Sequence, residues 1–312
     1  MALIIHKFGG TSVGSAERFA AVTEIVAQVE HQPVVVVSAM SGVTNHLIAG
    51  ARAAAEGRDT VYREIKAGLL TRHLGVVDAL LTRSRERLEV GGFIEDRLHE
   101  LERLYRSIAV LGEVTARGLD TVASFGEQLS SHILAATLRE RDLRAEAVSA
   151  TEAVVTDDTF GAAKPLMAQT RARLQARVKP LVERGVIPVI TGYIGATEAG
   201  VTTTLGRGGS DFTAAIVAAG LDADEVWIWS DVDGILTADP NIVPQARTLP
   251  ELSYSEAADL AYYGADVLHP KTVGPVVAAN IPLRLRNSFH PQHPGTLVLQ
   301  SPRADRQRLP AI

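Results

Sequence analysis

Pro33 is followed by four consecutive valines, Val34–Val35–Val36–Val37. A strand with one wet face alternates apolar and polar residues. A strand that is apolar at every position has both faces covered, the signature of a parallel sheet lying between layers of helix. The pattern repeats along the chain. Leu3–Ile4–Ile5, the stretch Gly185–Gly192 and Asp224–Trp229 read as further buried strands, and Ala145–Ser149, Val154–Thr156, Ile281–Arg286 and Thr296–Leu299 as shorter ones. Between them Phe19, Val22, Ile25, Val26 and Val29 recur at helical spacing. Helices are also expected over Thr60–Arg117, punctuated by Gly91–Gly92, and over Lys164–Arg184, Tyr254–Tyr263 and Lys271–Ala279, with a hairpin over Tyr193–Thr204. Strands alternating with helices predict an α/β fold whose sheet is mostly parallel. No Gly/Ser-rich or charged run marks a linker. One α/β domain is therefore expected over residues 1–300, with an N-lobe of about 1–190, a C-lobe of about 191–300 and a tail of 301–312.

Composition removes several functions. The 312 residues carry 31 basic and 36 acidic side chains, a formal charge of −5, and no basic stripe with interleaved aromatics, which argues against nucleic acid as a partner. There is no cysteine, so disulfides, thiolate metal sites and cysteine nucleophiles are excluded. No apolar stretch is long enough to span a bilayer, and Met1–Ile5 leads straight into a glycine turn without a signal-peptide pattern. A soluble cytoplasmic protein with no membrane partner is the expectation.

The turns after the strands carry the chemistry. Leu3–Ile5 runs through His6–Lys7–Phe8 into Gly9–Gly10–Thr11–Ser12–Val13–Gly14, with a helical pattern opening at Ser15–Ala16–Glu17. Glycines let main-chain N–H groups approach a ligand and a helix N-terminus favours negative charge, so this corner suits a phosphate; a plain βα turn with a surface lysine explains the same residues. After the valine run come Ser38 and Ala39–Met40–Ser41–Gly42–Val43–Thr44–Asn45, where Thr44 is a candidate N-cap. Thr121–Ala123 reads as a strand and Ser124–Phe125–Gly126–Glu127 as the turn and helix start after it, with Glu127 favoured by the helix dipole. Leu205–Gly206–Arg207–Gly208–Gly209–Ser210–Asp211 precedes an alanine-rich helical segment. Ser210 or Asp211 can cap that helix, but capping leaves three glycines around an arginine unexplained, and an arginine fork suits a carboxylate. Ser230–Asp231–Val232–Asp233–Gly234 follows the tryptophan strand, at the strand end where open α/β sheets bind ligands. His290 and His293, among prolines, read as loop residues without acidic partners, not as metal ligands.

Five of these stretches, Lys7–Ser12, Ser124–Glu127, Leu205–Asp211, Trp229–Gly234 and Leu268–His269–Pro270, resemble in order and spacing the motifs of aspartate kinases, within the amino acid kinase family. The resemblance implies a three-layer αβα sandwich with a mostly parallel central sheet. It implies transfer of the γ-phosphoryl of Mg-ATP to the β-carboxylate of L-aspartate, the opening step of lysine, threonine and methionine biosynthesis. By the same resemblance Lys7 and Asp211 are catalytic, Lys7 neutralising the transferring group and Asp211 orienting Lys7 and the attacking group. Ser38, Thr44, Glu127, Arg207 and Ser210 hold the amino acid, Arg207 on its α-carboxylate and Glu127 on its ammonium. Lys7, Gly9, Gly10, Ser12, Gly209, Ser230, Asp231, Leu236 and Lys271 contact the nucleotide, ATP with Mg2+, and no residue is assigned as a metal ligand.

Three positions depart from the family pattern: Leu236 where tyrosine is common, Asn241 where arginine is common, and Asp266 where lysine or glutamine is common, with Lys271 a candidate replacement charge. They leave two rivals standing beside an aspartate kinase: a family member with another acceptor (glutamate, N-acetylglutamate or UMP), and a catalytically silent nucleotide-binding partner. The chain stops at Ile312, where regulated relatives continue into paired ACT domains, so the expectation is a catalytic module without them, or a segment of a fusion enzyme. Homodimers are common among relatives.

Overall fold

The computed structural model describes residues 1–239, 242–243, 245–262 and 270–302. Asn241, Asp266 and Leu268–His269 lie outside the described residues, as does the side chain of Lys271. Ten strands are described: β1 (Leu3–Phe8), β2 (Gln32–Val37), β3 (Ala145–Val148), β4 (Ile187–Thr191), β5 (Ile194–Ala196), β6 (Thr202–Thr204), β7 (Glu225–Ser230), β8 (Glu251–Ser253), β9 (Leu283–Asn287) and β10 (Thr296–Leu299). Eight of them form one sheet in the order β3-β4-β2-β1-β7-β9-β10-β8, while β5 and β6 pair as a separate antiparallel hairpin. Every neighbouring pair in the large sheet is parallel except β9 with β10.

The valine run explains the layers. In β2, Val35 and Val37 join Phe8, Phe19 and Trp229 in one buried cluster, while Val34 and Val36 join Ile5, Ile228 and Leu285 in another on the opposite face. All four valines are fully buried, as a both-sides-covered strand requires. The first face is covered by α1 (Ala16–Ala27), α2 (Val43–Ala55), α3 (Asp59–Leu80), α4 (Ser84–Leu111), α5 (Ala116–Ala123) and α6 (Phe125–Glu140). The second is covered by α7 (Met167–Arg177), α8 (Lys179–Glu183), α9 (Gly209–Leu221), α10 (Tyr254–Tyr262) and α11 (Pro270–Ala278). This is the three-layer αβα arrangement.

Some sequence expectations yield to packing. Thr121–Ala123 is the last turn of α5, not a strand; Thr115 caps that helix by accepting from the Gly118 N–H at 3.1 Å, and Asp120, Val122 and Ala123 turn inward. Gly91–Gly92 does not break α4. Each interior glycine costs about 1 kcal/mol relative to alanine, and the buried row Val90, Ile94, Leu98, Leu101, Tyr105 and Ile108 outweighs that. Val154–Thr156 makes only isolated bridges, Val155 to Ala196 and Thr156 to Pro165. The helix expected from Lys164 starts at Met167, and Pro180 opens a new short helix.

Candidate active site

Parallel strands deliver their carboxyl ends to one edge, and there a cavity of about 570 Å³ opens. Of the residues singled out in the sequence it is lined by Lys7, Gly10, Ser38, Thr44, Glu127, Arg207, Gly209, Ser210 and Asp211. They come from the end of β1, the turns after β1, β2 and β6 and the starts of α2, α6 and α9, separated by up to about two hundred residues of sequence. Lys7 Nζ lies 2.7 Å from Asp211 Oδ1, so the cation at the end of β1 is held by the first turn of α9. Gly9 lets the chain turn close to that ammonium, since a Cβ there would sit 3.4 Å from Nζ. At Gly10 a Cβ would stand 3.0 Å from the Ala39 carbonyl oxygen, so this glycine lets the first and second loops touch.

The helix starts differ from the capping expectations. Gly42, in the left-handed region at φ 80, precedes α2, and Thr44 lies inside its first turn. Gly208, at φ 70, precedes α9, and Ser210 and Asp211 lie inside that helix. Neither helix has a side-chain cap, so both N-termini keep their dipoles open toward the cavity. The Gly209 N–H itself donates to the Gly206 carbonyl at 3.0 Å. Gly209 serves also as space: a Cβ there would come within 2.6 Å of the Tyr193 ring, another residue of the cavity wall. Tyr193 is a non-glycine residue at φ 66, held there by its N–H donating to Thr213 Oγ1 at 3.0 Å. The sequence reading passed over it as the start of the hairpin; a large residue wedged between Gly192 and the strand Ile194–Ala196 was the available signal.

Glu127 is the most perturbed group at the site. Gly126 allows α6 to approach the second loop, because a Cβ there would overlap Ala39 Cβ at 2.6 Å. The next side chain is thereby brought under the loop, and Glu127 Oε1 accepts from the Ala39 N–H at 3.2 Å. The other oxygen, Oε2, is buried with no partner among the described residues. Burial pushes this carboxyl up to about 8, only partly opposed by the Ala39 hydrogen bond. An unpartnered buried carboxyl at a cavity wall is a candidate binding site for a cation.

Of the remaining sequence candidates, Gly9, Ser12, Ser230, Asp231 and Leu236 lie outside this cavity lining. Ser12 is buried, and its hydroxyl lies 2.8 Å from Ser288 Oγ, which itself donates to the Ser230 carbonyl at 3.0 Å. That chain ties the turn after β1 to the ends of β7 and β9. Ser230 Oγ accepts from the Val232 N–H at 3.4 Å. Asp231 is exposed, and its carbonyl and the Asp233 carboxylate both accept from Asn287 Nδ2, at 3.4 and 2.8 Å. Asn287 and Ser288 thus organise the turn after β7. Leu236 is half-buried and bridges to Thr248. His290 has an acidic partner after all, its Nδ1 lying 3.3 Å from Asp233 Oδ1. Among the described residues no group of three or more acids or histidines can hold a metal, and no helix is long and apolar enough to cross a membrane.

The fold has relatives among known proteins. The model of the amino acid kinase family matches residues 2–287. The chain belongs to that family. Over 302 residues it is 38% identical to aspartokinase 1, chloroplastic, of Arabidopsis thaliana, covering 95% of this chain and 52% of that protein. Over 301 residues it is 37% identical to the lysine-sensitive aspartokinase 3 of Escherichia coli, covering 95% of this chain and 64% of the relative. The crystal structure of E. coli aspartokinase III in complex with aspartate and ADP superposes with a TM-score of 0.88 at 34% identity, over 97% of this chain and 65% of that one. The chain therefore spans about half to two thirds of the length of these two aspartokinases.

Proposed function

We propose that this amino acid kinase chain is the catalytic module of an aspartate kinase, transferring the γ-phosphoryl of ATP to the β-carboxylate of L-aspartate to give 4-phospho-L-aspartate and ADP. The observation that carries this reading is the Glu127 carboxyl, buried with one oxygen unpartnered at a cavity whose other charged lining residues include Lys7 and Arg207. A free amino acid with two carboxylates complements that set: anionic groups for the cations, an ammonium for Glu127. An acetylated amino acid or UMP has no ammonium to offer.

The acceptor carboxylate is already ionised at neutral pH, so no general base is required. The barrier is the approach of one anion to another, and lowering it is a matter of fixed positive charge and positioning. Lys7, steadied by Asp211, neutralises charge at the transferring group. Arg207 grips the α-carboxylate through its planar fork. Ser38, Thr44 and Ser210 supply hydroxyls along the same wall. ATP would supply the phosphoryl group, and Mg2+ bound with it would screen negative charge. The Gly9–Gly10 turn and the uncapped N-terminus of α9 fit a polyphosphate.

The test is a hydroxamate assay with Mg-ATP and L-aspartate, L-glutamate or N-acetyl-L-glutamate, run alongside ADP release with UMP. Product with aspartate alone supports the reading, and product only with another acceptor replaces it. Tight nucleotide binding without any turnover points to a silent partner.

A further inference from the structure

Asp120 lies on α5, outside the cavity lining, and is almost fully buried. Its carboxylate is saturated by donors from two other segments. Oδ2 accepts from the Gly161 N–H and the Thr204 N–H, each at 2.9 Å, and Oδ1 accepts from the Thr204 hydroxyl at 2.7 Å. Thr204 ends β6 and stands three residues before Arg207; Gly161 belongs to the loop facing it. The two backbones meet closely: a Cβ on Gly206, at φ 79, would lie 3.1 Å from the Gly161 carbonyl oxygen, and the Ala163 N–H donates to the Thr204 carbonyl at 2.9 Å. The Leu205 N–H closes the circuit on the Tyr193 carbonyl at 2.9 Å. Gly161, Tyr193, Gly206 and Arg207 all line the cavity.

We propose that Asp120 is a positioning residue of the acceptor site, one buried carboxylate that fastens Gly161 and the Thr204–Arg207 loop, and through Leu205 also Tyr193, into the wall against which the acceptor binds. This rests on the acceptor reading above, but the fastening itself does not require it. Asparagine at position 120 can keep the arrangement: its carbonyl oxygen accepts both N–H groups and its amide donates to Thr204 Oγ1. Alanine keeps none of it, and valine at 204 loses the hydroxyl arm while keeping the backbone N–H.

The experiment pairs steady-state kinetics with amide hydrogen exchange over residues 204–209 in wild type, Asp120→Ala, Asp120→Asn and Thr204→Val. Asp120→Ala is expected to raise the aspartate KM about tenfold or more, with kcat and the ATP KM changing less than about threefold. Exchange in the Arg207 loop should accelerate by about tenfold beyond any global loss of stability. Asp120→Asn should restore the aspartate KM to within about threefold of wild type, and Thr204→Val should fall between the two. Should Asp120→Ala not fold, Thr204→Val still decides: unchanged aspartate KM and unchanged loop exchange overturn the proposal. Asp120→Asn as damaging as a folded Asp120→Ala also overturns it, because the charge and not the fastening would then matter. A wild type that turns over another acceptor or none, combined with faster loop exchange in the variants, removes the aspartate reading and leaves the fastening standing.

Discussion

Glu127 carries the sharpest consequence at the scale of a single residue. Its carboxyl is held up near 8 by burial, whereas in the unfolded chain it titrates at about 4.5. The folded state therefore binds the proton more tightly than the unfolded chain, and this residue lowers stability progressively as pH rises from about 4.5 to about 8. Gripping an ammonium requires the ionised form, so aspartate binding at neutral pH should expel a proton. Calorimetry at about pH 7 in two buffers of different ionisation enthalpy is expected to show close to one proton released per aspartate bound, and none for Glu127→Gln. Glu127→Gln should also flatten the slope of melting temperature against pH in the empty protein. No proton release from the wild type would mean that the ammonium is held elsewhere. The two cations divide the work differently. Lys7→Ala should cut kcat about a hundredfold or more, with aspartate binding largely kept, because Lys7 acts on charge that develops in transfer. Arg207→Ala should chiefly raise the aspartate KM, by about tenfold to a hundredfold, since a charge-assisted pair is lost in the ground state as well. Equal effects of both changes on both parameters would contradict this division.

At the scale of elements, the site is a set of helix starts fitted against strand ends, and glycines set how closely they fit. Gly126→Ala would drive a methyl to within 2.6 Å of Ala39 Cβ and 3.2 Å of Val43 Cγ1. The expected outcome is a loss of about 1–3 kcal/mol in stability from overpacking, together with weaker aspartate binding as Glu127 shifts. Chemical denaturation and aspartate titration of the variant check both halves; undiminished affinity at reduced stability would show that α6 moves without carrying Glu127. These glycine turns were legible in the sequence because each interrupts an apolar run beside a charged or hydroxyl residue within a few positions. Lys7, Glu127, Arg207 and Asp211 could be found that way. Tyr193 and Asp120 could not. Their meaning lies in contacts to Thr213 and Thr204, and the Asp120 pair is 84 positions apart. The cap assignments at Thr44 and Ser210 failed for a related reason: a left-handed glycine starts each helix, and local preference for hydroxyl caps is overridden by a turn that leaves the N-terminus open.

For the whole molecule, one parallel sheet order gathers four strand ends, β4-β2-β1-β7, beside one another at a single edge. The both-faces-buried valine strand made that sheet predictable, and the order of motifs made the family predictable. What periodicity could not give was where β9 would sit, since it extends the sheet beyond β7 by a pairing across more than fifty residues. The turn after β7 is accordingly organised by Asn287 and Ser288 from the distant β9 end. With Lys7 and Arg207 lining one cavity together, the proposed phosphoryl transfer would rest on fixed positive charge with no proton-abstracting group. The direct measurement is the single-turnover rate of phosphoryl transfer at saturating Mg-ATP and L-aspartate from about pH 7 to about pH 9. A rate constant that stays level across that range is the expected result; a rate that climbs with the ionisation of a single enzyme group would contradict it.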